Sequence, residues 1–275
     1  MKHMKLPNGK RIAMISKFSA MDVYNEIYED NPYLQDGIKI TSGDTVIDIG
    51  ANIGLWTQYM LDSNTDMRIY CFEPIPITYK ALQENLESYK EKGIIKLFNI
   101  GLSNRTERVK FNYYPRVSTD STLNPFDFEV QIEYFMKKAN NGISKIVPLR
   151  LKRKIISVLL HYMYKPEIVE CQITSLSEII KKEEINNIDL LKIDAEGAEW
   201  EILNGIDGKD WEKIKQIAME VHTNCEGGDD LIERIQNLLK EHGYDTSVNY
   251  NTRFSFVGVH MLYGKKTTDT LHRVE

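Results

Sequence analysis

Cysteine is scarce and poorly placed for cross-linking, with Cys71, Cys171 and Cys225 the only three in 275 residues. An odd, widely spaced set argues against both a disulfide framework and a zinc cluster, and suggests a reducing cytoplasm. Cys71 sits inside the apolar run Ile69-Tyr70-Cys71-Phe72 and reads as a small buried hydrophobe. No apolar run approaches the roughly 20 residues needed to span a bilayer. The first stretch, Met1 to Lys10, is polar and lacks the apolar segment and small-residue cleavage site of a signal peptide. Positive charge is not in excess either: the formal net charge is −5, which leaves no electrostatic footprint for nucleic acid. The stretch Lys145 to Lys154 leaves a local basic patch open.

What is present suits one large α/β domain with embellishments, because 42% hydrophobic residues can supply a sizeable core. In residues 1–40, Tyr24, Ile27 and Tyr28 fall at helical spacing and predict a cap of one or two short helices over an active-site mouth. Simple packing onto the core would use the same spacing. Residues 41–275 then form the main domain. Strands are expected at Thr45 to Ile49, Arg68 to Phe72, Ile95 to Asn99, Ile188 to Ile193 and Ile214 to Val221, with helical segments between them. That alternation predicts a mostly parallel central sheet with helices on both faces. The middle is less regular, with a strand read at Val109 to Tyr114, and the alternation resumes with a strand at Glu170 to Thr174. Asp229 to His242 reads as a helix with Gly243 just past its end, and Ser247 to Tyr250 with Phe256 to Leu262 as an antiparallel pair closing the sheet. Residues 115–166, containing Asn141-Gly142, are far longer than an ordinary connection and read as a substrate cap.

The most informative stretch is Asp48-Ile49-Gly50-Ala51-Asn52-Ile53-Gly54. Gly50 and Gly54 let the chain turn tightly at a strand end and approach a ligand with no Cβ in the way. Glu73 ends the next strand about 20 residues on, where a carboxylate can accept both hydroxyls of a ribose. Gly-x-Gly-x-x-Gly is missing, and with it the pyrophosphate cradle of a dinucleotide site. S-adenosylmethionine (SAM) has no phosphate; its ammonium and carboxylate suit backbone amides beside an acid such as Asp48.

Val46 to Gly54, then Phe72-Glu73-Pro74, then Leu191-Lys192-Ile193-Asp194-Ala195-Glu196-Gly197-Ala198-Glu199 resemble the successive motifs of FkbM-type SAM-dependent methyltransferases. Asp210 to Ile214, Met219-Glu220-Val221-His222, Leu238 to Tyr244, and Tyr113-Tyr114-Pro115 before Ser121-Thr122 are similar to the O-methyltransferase domains of polyketide and nonribosomal peptide synthetases. Gly197 departs from that subtype, where a bulkier residue is common. The resemblance implies a Rossmann-like class I methyltransferase fold and a hydroxyl acceptor on a natural-product intermediate, carrier-protein-tethered in the synthetase type. A sugar hydroxyl of a glycan or glycolipid is the alternative acceptor, and a non-catalytic cofactor-binding module the alternative of another class. Cofactor contacts are expected from Asp48, Gly50, Asn52, Gly54, Glu73 and Asp194, and the resemblance places Gly101 and Leu102 near the adenine.

Transfer from a sulfonium needs an aligned oxygen nucleophile, and a base near pKa 7 helps when that nucleophile is an alcohol. His222, ending a strand on the ligand side, suits that base, with Glu220 or Glu196 to orient it. Asp194 should lie beside the transferring methyl. Asp194, Glu196 and Glu199 could cage Mg²⁺, but they suit a helix N-terminus equally well, and metal is the less favoured reading. Lys192 is read as a solvated or packing residue, with an acceptor contact as the weaker alternative, Trp56 as core, and Asp120, Ser121 and Thr122 as acceptor contacts or ordinary loop chemistry.

Overall fold

The computed structural model describes residues 1–64, 66–123, 128–139, 148–223, 228, 230–252 and 258–267. The polar start forms an antiparallel hairpin, β1 (Lys2–Lys5) and β2 (Arg11–Met14), which the sequence reading left without structure. Ser16 then caps α1 (Lys17–Asn25) by accepting from the Ser19 amide. The helix loosens into a π turn at Glu26–Asp30 and a 3₁₀ turn at Pro32–Leu34. Tyr24, Ile27 and Tyr33 of this segment are buried in the main core, so the segment packs against the body.

The body alternates as expected: β3 (Thr45–Ile49), α2 (Leu55–Ser63), β4 (Met67–Phe72), α3 (Pro76–Leu86), β5 (Gly93–Phe98). There follow β6 (Gly101–Leu102), β7 (Glu107–Tyr113), α4 (Phe128–Ala139), α5 (Leu149–Met163), β8 (Glu167–Thr174) and α6 (Leu176–Lys182). The chain closes with β9 (Leu190–Ile193), α7 (Glu199–Asn204), β10 (Gln216–His222), α8 (Leu231–Glu241), β11 (Tyr244–Asn249) and β12 (Val259–Lys266). Seven strands form the central sheet in the order β11-β12-β10-β9-β3-β4-β5. The five from β5 to β10 are parallel, whereas β12 runs antiparallel to β10 and pairs antiparallel with β11. Helices cover both faces, over two separate apolar clusters. That double cover is why every residue of β9 is buried.

One expectation needs correcting. The strands β7 and β8 do not extend the central sheet; they pair antiparallel with each other and, with β6, form a separate three-stranded sheet. Their alternating exposed and buried residues suit a sheet wet on one face rather than one clad on two. The insertion joining them holds α4 and α5. Asn141-Gly142, Lys145, Cys225 and Phe256 lie outside the described residues. Cys71 and Cys171 are buried free thiols. No helix among the described residues is long and apolar enough to cross a membrane.

The sheet's carboxyl edge is pinned where β3 and β9 end side by side. The Asp194 amide donates to the Ile49 carbonyl over 3.1 Å, and the Gly50 and Ala51 amides both donate to the Phe72 carbonyl. Gly50 has φ 72°, and a Cβ there would stand 1.7 Å from the Asp194 carbonyl oxygen. Gly50→Ala is therefore expected to cost roughly 3 kcal/mol through backbone strain and overpacking. Thermal unfolding should show a clear fall in midpoint, with Gly208→Ala, where a Cβ meets open space, unchanged.

Candidate functional site

Beyond the carboxyl ends of β3, β4, β9 and β10 lies a cleft of about 500 Å³. That volume is in the usual range for small-molecule sites, and the position is where open α/β sheets bind their ligands. Gly50, Ala51 and Asn52 form one wall, with Asn52 in the left-handed region at φ 49°. Glu73 follows directly on β4. Its two carboxylate oxygens accept from the Asn52 amide at 3.1 Å and the Ile75 amide at 2.9 Å. Burial pushes its pKa up to about 8, partly offset by those amides. Gly101 and Leu102 also line the cleft. Gly54 is not among the lining residues; a Cβ there would press on Leu82 and Leu86, so this glycine serves the packing of α2 on α3.

Asp48 lies underneath. It is fully buried, takes the Thr57 hydroxyl at 2.6 Å on one oxygen, and meets the Lys192 ammonium at 3.0 Å on the other. Lys192 is thus neither solvated nor ordinary packing, as its sequence reading had it, because β9 is clad on both faces. Its ammonium also lies 3.7 Å from Asp194 and over the rings of Tyr33 and Trp56. Burial works against that charge, yet Asp48 and Asp194 outweigh it and hold the pKa above the ordinary lysine value.

Two carboxylate groupings make up the rest. In the first, the Tyr33 hydroxyl bridges Asp194 at 2.9 Å and Glu220 at 3.1 Å, and Glu220 is hydrogen-bonded to Glu26. Burial raises Glu26 to about 7 and pushes Glu220 well above the carboxylate range, so this pair shares a proton. In the second, His222 Nδ1 lies 2.8 Å from Glu199 and Nε2 lies 3.3 Å from Glu196. Burial disfavours the charged ring, but the two carboxylates prevail and raise its pKa well above the usual value. Burial likewise lifts Glu196 to about 8, against the pull of His222. The His222 charge pulls the Glu220 pKa down, while Glu199 and Glu196 hold the two ring nitrogens.

The insertion supplies a further wall. Thr122 donates to the Glu196 carbonyl at 2.7 Å, and the Tyr164 hydroxyl donates to Asp120 at 2.5 Å. Asp120, Ser121 and Tyr164 line the cleft together with Phe18, Asp22 and Glu26 from the N-terminal segment. Tyr33, Glu26 and Tyr164 escaped the sequence reading, since each acts across a separation with no local pattern. For Lys192 a signal existed: a lone cation inside a fully apolar parallel strand has nowhere to be solvated. Among the described residues the lining contains seven carboxyl side chains and no arginine. Among the described residues no group of three or more His, Cys, Asp or Glu is arranged to hold a metal ion.

The methyltransferase FkbM domain profile matches residues 48–246. The chain is 27% identical over 264 residues to 31-O-demethyl-FK506 methyltransferase FkbM of Streptomyces tacrolimicus, covering 96% of each. It is 30% identical over 249 residues to the AMB antimetabolite synthetase AmbE of Pseudomonas aeruginosa, covering 88% of this chain but spanning only 11% of AmbE. Among solved structures it is similar to M. capricolum TrmK in complex with S-adenosyl-homocysteine, with a TM-score of 0.42 and 12% identity, covering 84% of this chain and 65% of that one.

A buried imidazolium between two carboxylates makes a definite pH prediction. The folded pKa of His222 lies above the unfolded value of about 6.5, so its stabilisation is fully present below that pH and is lost as pH rises through the folded value. His222→Gln should cost about 3–5 kcal/mol near pH 6 by stranding the buried carboxylates. The gap to wild type, from urea unfolding at a series of pH values, should narrow toward alkaline pH.

Proposed function

This chain belongs to the FkbM methyltransferase family, and we propose that it transfers a methyl group from SAM to a hydroxyl of a natural-product intermediate. The observation that carries the reading is the placement of Glu73 and Asp194 on either side of the glycine turn, with His222 and Glu196 across the cleft. The residues present fit the cofactor. Seven lining carboxyls suit a sulfonium and an ammonium. Glu73 would take the ribose hydroxyls, and Gly101 and Leu102 the adenine. Asp48 would act from beneath, through Lys192, rather than by contact.

SAM, when bound, supplies an electrophilic methyl on a sulfonium. Glu196 is the base: it lines the cleft, titrates near neutrality, and would receive the proton that the acceptor hydroxyl loses as its oxygen gains the methyl. His222, with both ring nitrogens on carboxylates, holds Glu196 in place and its charge in balance. Oxygen as the acceptor atom is supported by the name of the FK506 relative, and an antimetabolite-synthetase setting by the name of AmbE. The insertion 115–166 is the acceptor cap in this reading. A sugar hydroxyl is the second acceptor class, favoured by the many carboxylates available to hydrogen-bond a polyol.

Transfer of radiolabelled methyl from SAM to panels of carrier-tethered β-hydroxyacyl groups and of sugars tests the proposal. Labelling of neither panel, with SAM bound, would reject both acceptor classes. Glu196→Gln is expected to lower kcat by roughly 10²–10⁴-fold, the usual share of a general base, with SAM affinity unchanged. Cofactor binding carries its own pH signature. A ribose favours ionised Glu73, whose pKa stands at about 8, so SAM affinity should rise with pH and level off above 8. Calorimetry should show that rise in wild type and a flat, weak profile in Glu73→Gln.

A further inference from the structure

Helix α5 is built the wrong way round for a surface helix. It turns Lys152 and Leu160 inward, while Leu151, Ile155, Val158, Leu159 and Tyr162 stand between 47% and 61% exposed. Those five fall at i, i+4, i+7, i+8 and i+11, which places them in one continuous stripe along the outer side. A contiguous exposed apolar stripe of this kind marks a contact surface rather than scattered surface hydrophobes. Arg150 and Lys154, both exposed, flank the stripe, and the helix contains no acid in its 15 residues, in a chain whose net charge is −5.

The stripe leads to the cleft. Arg116 lies 4.1 Å over the Tyr162 ring, and its carbonyl accepts from Ser16, the cap of α1. Two residues on, Phe18 is exposed and lines the cleft mouth. Tyr164, just past the end of α5, lines the same cleft. The acid-free apolar stripe of α5 therefore leads toward the mouth.

We propose that this face docks on an anionic lipid surface, with the stripe seated at the headgroup boundary and Arg150 and Lys154 over lipid phosphates. The occupant follows from the charges and the shape: a convex helix offering branched apolar side chains and cations, with no acid, is the pattern of an interfacial helix. Docked so, the protein turns its cleft mouth toward the surface. The claim concerns the surface itself and holds whichever acceptor is methylated.

Flotation of the full chain with vesicles tests it. Binding is expected with equimolar phosphatidylcholine and phosphatidylglycerol, weakened by salt, and absent with phosphatidylcholine alone. Arg150→Glu with Lys154→Glu should weaken partitioning roughly tenfold or more. Leu151→Asp with Val158→Asp should abolish it, with far-UV circular dichroism unchanged because these side chains are exposed. No flotation of wild type with the anionic vesicles overturns the proposal, as does flotation that both double variants retain. A dimer by light scattering that Val158→Asp dissociates, without vesicle binding, overturns it too and gives the stripe to a second copy of the chain.

Discussion

Lys192 stands where β3 and β9 end side by side, its ammonium 3.0 Å from Asp48 and 3.7 Å from Asp194. A charge so deeply buried persists only when paired and hydrogen-bonded, and it also donates to the Ile49 carbonyl at 3.4 Å. Several walls of the cleft connect to it. Asp48 and Ile49 carry the glycine turn, and Asp194 follows the end of β9. Tyr33, whose ring faces the ammonium, brings in the N-terminal segment. The cation thus ties the glycine turn, the end of β9 and the N-terminal segment together.

Around that cation the protein gathers more acid than it neutralises. Glu26, Asp194 and Glu220 are joined through Tyr33 and a shared proton, and Glu196 and Glu199 through His222. Such a concentration costs folding energy unless protons or cations are held in place. The two carboxylates favour the charged form of the histidine for that reason. A site with surplus negative charge is matched to a cationic donor, which ties the electrostatics of the cleft to the chemistry of its family.

The fold was legible because its signals are local. Thr45–Ile49, Gly50, Asn52, Glu73 and the C-terminal strand pair each carry propensity, turn geometry or position within a few residues. The hairpin at the start was not, since its strands are only four residues long and draw their order from packing on α3 through Asn85, which bonds both the amide and the carbonyl of Ala13. The assignment of β7 and β8 to a second sheet was equally hidden, because alternation predicts strands and not their partners.

By itself the sequence determined the βα alternation, the glycine turn at the end of β3, the acid at the end of β4, and a histidine at the end of β10. Period, backbone freedom and strand ends are properties of neighbouring residues, so they can be read in order along the chain. Only the tertiary structure decided what those residues do. It placed Asp48 beneath the loop rather than in it and made Lys192 a buried cation. It gave His222 to Glu199 and Glu196, and it brought Tyr33 across 161 positions to Asp194. Ionisation and hydrogen bonding depend on burial and on partners distant in sequence, and both exist only once the chain has closed on itself.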